Sequence, residues 1–137
     1  MTDTETNRQL ITNAFEGLRV GDHGSFMALF AEDMVWEAQG SSTWSRRAEG
    51  RAAMEAETAG PLFSRLEGPF LNIPELIIAD GDKVVVTARG DATTVDGKRY
   101  CNGYCFIFTM RDGMIVHVRE YFDGILADAV LGPHPLA

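Results

Sequence analysis

Between Val84 and Phe122 the chain reads VVVTARGDATTVDGKRYCNGYCFIFTMRDGMIVHVREYF, three β-type runs separated by two Asp-Gly pairs. No other stretch restricts the fold as much. Asp-Gly between alternating apolar residues is a strong hairpin signal, because a type I′ turn needs positive φ at both central positions. The block is therefore expected to be an antiparallel meander. Its central run carries large side chains on both faces, with Tyr100, Tyr104, Phe106 and Phe108 on one and Cys101, Cys105 and Ile107 on the other. A strand buried on both sides needs two covers. Helices supply one, and a second copy of the chain is expected to supply the other, giving a homodimer through the sheet.

The preceding half is helical. Leu10, Ile11, Ala14, Phe15 and Leu18 recur with helical spacing, and Gly21 follows as a stop signal. A second short helix is expected from Asp22, with Phe26, Leu29 and Phe30 inward. Met34–Ala38 alternates as a short strand with Trp36 and Glu37 on opposite faces, and residues 40–45 read as a polar loop. Ala48–Ala59 reads as a third helix, which Gly60-Pro61 is expected to break. Phe70–Ala79 reads as a strand whose Pro74 marks an edge or bulge. A helical turn over Ile125–Leu131 and a loose tail from about residue 132 complete one domain spanning residues 1–137. Helices followed by a block of strands predict an α+β fold.

Composition narrows the partners. A formal net charge of -8 with 12 Lys and Arg residues disfavours nucleic acid and anionic membrane surfaces. No run of 18 apolar residues and no apolar leader is visible, which makes a cytoplasmic protein the expectation. Cys101 and Cys105, four apart in one strand, would have Cα atoms about 13 Å apart, beyond disulfide reach. His23, His117 and His134 are scattered without metal-ligand spacing, so no metal is expected and all three read as surface histidines.

The ionisable residues of the strand block form the candidate site. A two-residue turn at Asp96-Gly97 pairs Val95 with Lys98, sets Asp91 opposite Asn102 and Arg89 opposite Tyr104, and puts all four on one face. The second turn has two readings. A two-residue turn at Asp112-Gly113 places Glu120 beside Cys105, on the other face. A three-residue loop over Arg111–Gly113, with Gly113 left-handed, places Glu120 opposite Tyr104 and Phe122 opposite Asn102. The pattern alone leaves both open.

FAEDMVWE after a helix pair, a Gly-led third helix, DGKRYCNGYCFIF and RDGMIVHVREYFD together resemble the nuclear transport factor 2-like superfamily over nearly the whole chain. The similarity is greatest to its SnoaL-like branch, with polyketide cyclases, limonene-epoxide hydrolase and ketosteroid isomerase relatives. This resemblance implies a cone-like curved antiparallel sheet with helices packed on its concave face around a pocket. It favours the bulged register for Glu120. Asp91 and Glu120 would then be proton carriers, Arg89 their charge organiser, and Asn102 and Tyr104 hydrogen-bonding positioners. Trp36, Phe15, Phe106, Val118 and Phe122 would complete the substrate lining. Arg89-Gly90-Asp91 is similar to the Arg-x-Asp pair of limonene-epoxide hydrolase, and Glu120 stands near that family's later Asp. The water-holding Tyr and Asn of that enzyme align with Trp36 and Ala38, and the isomerase's general base also aligns with Ala38. The resemblance therefore implies a cofactor-free acid–base enzyme of isomerase, cyclase or epoxide hydrolase type. Its substrate would be small and hydrophobic, polyketide-, terpenoid- or steroid-like. The competing expectation is a noncatalytic ligand-binding or assembly module of the same fold.

Overall fold

The computed structural model describes residues 3–137. Helix α1 (Asp3–Leu18) buries Ile11, Ala14, Phe15 and Leu18, the stripe set by the 3–4 spacing, and α2 (Gly24–Ala28) adds Phe26. Both pack into the hollow of one curled sheet, so the expected α+β cone is the fold observed. The strands are β1 (Phe30–Ala38), β2 (Arg46–Glu49), β3 (Leu66–Asp80), β4 (Lys83–Thr94), β5 (Arg99–Tyr100), β6 (Gly103–Arg111) and β7 (Met114–Phe122). Their order is β2-β1-β7-β6-β4-β3, with β5 paired to β4. β1 runs parallel to β7; the other pairs are antiparallel. Phe15 joins helix to sheet, its ring centroid 5.8 Å from Phe26, 6.0 Å from Phe106 and 6.1 Å from Phe108. Asn7 donates to Gly81 O at 3.1 Å and Gly81 N donates to Thr4 Oγ1 at 2.9 Å, pinning the β3–β4 turn to the start of α1. Among the described residues, no helix is long and apolar enough to cross a membrane.

Both Asp-Gly hairpins close differently from the sequence expectation. The first is a three-residue loop, Val95–Gly97. Thr94 N donates to Lys98 O and Gly97 N donates to Thr94 O, with Gly97 left-handed at φ 84°. The Thr94 side chain selects this loop. Its Oγ1 accepts from Lys98 N at 2.9 Å and donates to the Asp96 carboxylate. Every downstream pair slips by one residue, to Arg89↔Gly103 and Ala88↔Tyr104. Thr94→Val, which keeps the shape of this buried side chain and removes its hydroxyl, is expected to cost about 1–2 kcal/mol in urea unfolding. An unchanged midpoint would show that the hydroxyl does not hold the loop.

The second hairpin is the two-residue turn. Arg111 pairs with Met114, and Asp112 and Gly113 have φ of 51° and 78°. The extra residue comes further along. Met110 pairs with Ile115 but Thr109 pairs with His117, leaving Val116 as a bulge. The bulge returns Glu120 to the concave face, where it pairs with Phe106 rather than with Tyr104.

Three further expectations are corrected. Ala48 belongs to β2, and the helix that follows starts at Arg51. Gly60-Pro61 does not break that helix: α3 (Arg51–Met54) passes through a π-turn, Glu55–Ala59, into α4 (Gly60–Ser64). Proline clashes with the carbonyl four residues back in an α-helix; here the preceding turn is wound wider, and Gly60 N donates to Glu55 O. A Cβ at residue 60 would lie 2.8 Å from that oxygen, which is why glycine stands there. The tail is also held. His134 is 3 % exposed, its Nε2 lies 2.7 Å from Glu57 O, and its ring meets Trp44 edge-on at 4.7 Å.

Candidate functional site

The hollow of the cone holds a cavity of about 590 Å³ of empty space, mouth included. Its lining is mostly apolar, with Phe26, Phe30, Phe63, Phe70 and Phe106 among the rings. The polar side chains on its wall are His23, Trp36, Thr58, Asn72, Tyr104 and Glu120. A smaller rear chamber is lined by Trp44, Glu57, Tyr100, Phe122 and Leu131. Thr58, Leu62, Tyr104 and Glu120 line both, so these four form the waist between them.

Glu120 is positioned by two strand pairings. The parallel register with β1 sets Trp36 against Val118 and Ala38 against Glu120. Trp36 thereby reaches Glu120 diagonally, and its Nε1–H donates to Oε1 at 3.1 Å. Among the described residues no other side chain bonds this carboxyl. Burial pushes Glu120 up to about 7, against the smaller downward pull of the Trp36 hydrogen bond. A carboxyl so placed divides its population between acid and base near neutral pH.

Beside it, burial pushes the Tyr104 hydroxyl well above the usual range, and the Tyr100 and Glu120 charges act in the same direction. Tyr104 is therefore a neutral hydrogen-bonding group at ordinary pH. It shares a hydrogen bond with Tyr100, whose hydroxyl accepts from Asn102 Nδ2 at 2.9 Å. Asn102 also donates to Asp123 O at 3.0 Å and accepts from Asp123 N at 3.0 Å, which fixes its amide at the start of α5 (Gly124–Leu131).

The expected site residues divide into groups. Glu120, Tyr104, Trp36 and Phe106 line the main chamber, and Phe122 lines the rear one. Asn102 is 1 % exposed and lines neither, so it acts as a clasp behind Tyr100. Phe15 and Val118 are fully buried core beneath the wall. Arg89 and Asp91 are not in the site. The one-residue slip at Thr94 turns both to the outer face, where Arg89 is exposed and Asp91 pairs with Arg99. Glu37 is likewise outside, held by Arg47 and by His117 Nε2 at 2.8 Å, as its parity with Trp36 required.

His23, Thr58 and Asn72 are additional wall residues. His23 faces the chamber rather than the surface, its Nε2 3.0 Å from Phe70 O. Asn72 was detectable: it breaks the apolar run PFLNIPELII at the parity of the inward Phe70. Thr58 carries no such signal, because Gly60-Pro61, the mark of the π-turn that aims it, reads as a helix break.

The sequence profile of the SnoaL-like domain matches residues 11–118. No curated protein matches the sequence significantly. Many solved structures share the fold. Bal32a, from a soil-derived mobile gene cassette, is 24% identical with a TM-score of 0.75, covering 95% of this chain and 99% of its own. A SnoaL-like polyketide cyclase assignment attaches to a Jannaschia sp. CCS1 protein, 17% identical at TM-score 0.77, with 98% and 97% covered. An isomerase assignment attaches to a Bacillus subtilis protein, 22% identical at TM-score 0.73, with 96% of each chain covered. At these identities the likeness shows the fold.

Proposed function

Because the chain belongs to the SnoaL-like domain family, we propose that it is a cofactor-free acid–base enzyme acting on a compact apolar molecule with a carbonyl group. One observation carries this reading: a single carboxyl, raised to about 7, sits in a mostly apolar chamber with one oxygen oriented by an indole N–H. As carboxylate, Glu120 takes a proton from the carbon next to the carbonyl. As acid, it returns the proton at another carbon in an isomerisation, or, in a cyclisation, to the oxygen of a second carbonyl whose carbon the enolate carbon has attacked. Asn102 donates to Tyr100, and Tyr104, a neutral hydroxyl that shares a hydrogen bond with Tyr100, turns its O–H to the developing enolate oxygen when the ketone is bound. The reaction type is isomerisation or cyclisation, which need no attacking water. The proton carrier of this proposal is Glu120 alone; Asp91 and Arg89 have no part in it.

The test is deuterium exchange from solvent into 2-tetralone, a compact bicyclic ketone, followed by NMR with wild-type protein and Glu120→Gln. Wild-type exchange at the background rate, with the ketone bound, would instead support a noncatalytic binding module. We further propose a homodimer through the outer sheet face. There Leu76, Ile78 and Tyr121 are exposed beside the half-buried Cys105 and Ile107. Light scattering at micromolar concentration is expected to give twice the chain mass; a single-chain mass would end this proposal.

A further inference from the structure

Two polar side chains on the cavity wall have no partner within the protein. Asn72, on β3, is 7 % exposed, and its Oδ1 is sealed from solvent without a hydrogen bond. No side-chain hydrogen bond of its amide nitrogen occurs among the described residues. Thr58 Oγ1 is sealed and unpaired in the same way. A threonine hydroxyl in an ordinary α-helix commonly bonds a carbonyl three or four residues back; Thr58 lies in the π-turn, where the ladder runs to the fifth residue. Buried polar atoms without partners cost stability, and leucine or valine at these positions would avoid that cost.

The two sit in different parts of the cavity. Thr58 lines both chambers together with Glu120, whereas Asn72 lines only the main one. Asn72 is on β3 and Glu120 on β7, three strand steps apart in the sheet order. At the usual strand spacing their backbones are separated by roughly 14 Å before curl brings the side chains inward. The wall between them is aromatic. Phe70 and Tyr104 lie close over Gly90, the residue paired with Asn72, where a Cβ would come within 2.9 Å of the Tyr104 ring and 3.1 Å of Phe70. The terminal torsion of asparagine is broad, so the Asn72 amide can turn its oxygen or its nitrogen to a ligand.

We propose that the cavity selects a flat, mainly apolar ligand with hydrogen-bonding groups at both ends: a carbonyl at the waist, met by the hydroxyls of Thr58 and Tyr104 with Glu120 beside the neighbouring carbon, and a hydroxyl, carbonyl or amide at the far end, met by Asn72. Asn72 is thus a specificity residue that touches the substrate away from the reacting carbon. This rests on the reading of Glu120 as the reacting end.

The test uses two rigid probes, 2-acetonaphthone and 6-hydroxy-2-acetonaphthone. The quenching of Trp36 and Trp44, which line the two chambers and are the 2 tryptophans of the chain, reports binding. Wild type is expected to bind the hydroxylated probe about tenfold tighter than the plain one. Asn72→Leu is expected to abolish that difference. Asn72→Leu should also melt at a higher temperature, since the unpaired amide is gone. Thr58→Val should weaken both probes equally. A preserved difference in Asn72→Leu, a lowered melting temperature, or no binding of either probe to wild type would overturn the proposal. If the tetralone exchange fails while the tenfold difference holds, the reaction assigned to Glu120 fails and the binding assignment stands. If exchange proceeds but the difference is absent, the reverse is true.

Discussion

Replacing Glu120 with Gln is expected to slow exchange into 2-tetralone by about 10²- to 10⁴-fold at pH 7.5, the range that a positioned acid–base group contributes. Gln keeps an oxygen that can accept from Trp36 Nε1–H, so the side chain stays oriented and only its proton chemistry is removed. The wild-type rate should rise with pH through about 7 and level off above it, since the base form does the work. Asp91→Asn is the paired control. Asp91 lies on the outer face in an ion pair with Arg99, so that variant should exchange at the wild-type rate. Equal rates in wild type and Glu120→Gln would remove Glu120 from the reaction. A midpoint near 4.5 would show a carboxyl in water rather than one buried in the cone.

The contrast between Asp91 and Glu120 also shows how far pattern reading reaches. The stripes of α1, the edge position of the Pro74-bearing β3 and the two-faced β6 were all legible, because each follows from side-chain periodicity over many residues. Face assignment in a hairpin instead depends on a single residue of register. Both turns contain Asp-Gly, yet they close with loops of different length. At Asp96-Gly97 the Thr94 hydroxyl holds a third residue in the loop. At Asp112-Gly113 no such bond competes, the two-residue turn forms, and the compensating residue appears as the Val116 bulge. Glu120 therefore reaches the expected face by an unexpected route. Arg89 and Asp91 miss it because the Thr94 hydroxyl outweighs the turn preference. The π-turn that turns Thr58 toward the waist is less visible still, since it answers to Gly60-Pro61 only once the helix has continued past them.

Above neutral pH, Glu120→Gln should be more stable than wild type. The carboxyl titrates at about 7 in the folded protein against 4.5 in the unfolded chain. Below 4.5 both states hold the proton and the residue imposes no penalty. Between 4.5 and 7 the unfolded chain releases its proton while the folded protein keeps it, so wild-type stability falls as pH rises. Above 7 the penalty is complete. Its ceiling is about 3.5 kcal/mol, from about 1.4 kcal/mol for each pH unit between the two values; contact with the cavity holds the measured cost below that figure. Gln does not titrate and carries no such term. Urea unfolding at pH 4, 6 and 8 should therefore show the two proteins nearly equal at pH 4, with the gap opening in favour of the variant by pH 8. A gap that stays constant with pH would mean that the substitution changes packing rather than ionisation. The base form that lowers stability above pH 7 is the same form that takes the proton from the ketone, so the pH range that weakens the fold should also be the range of fastest exchange.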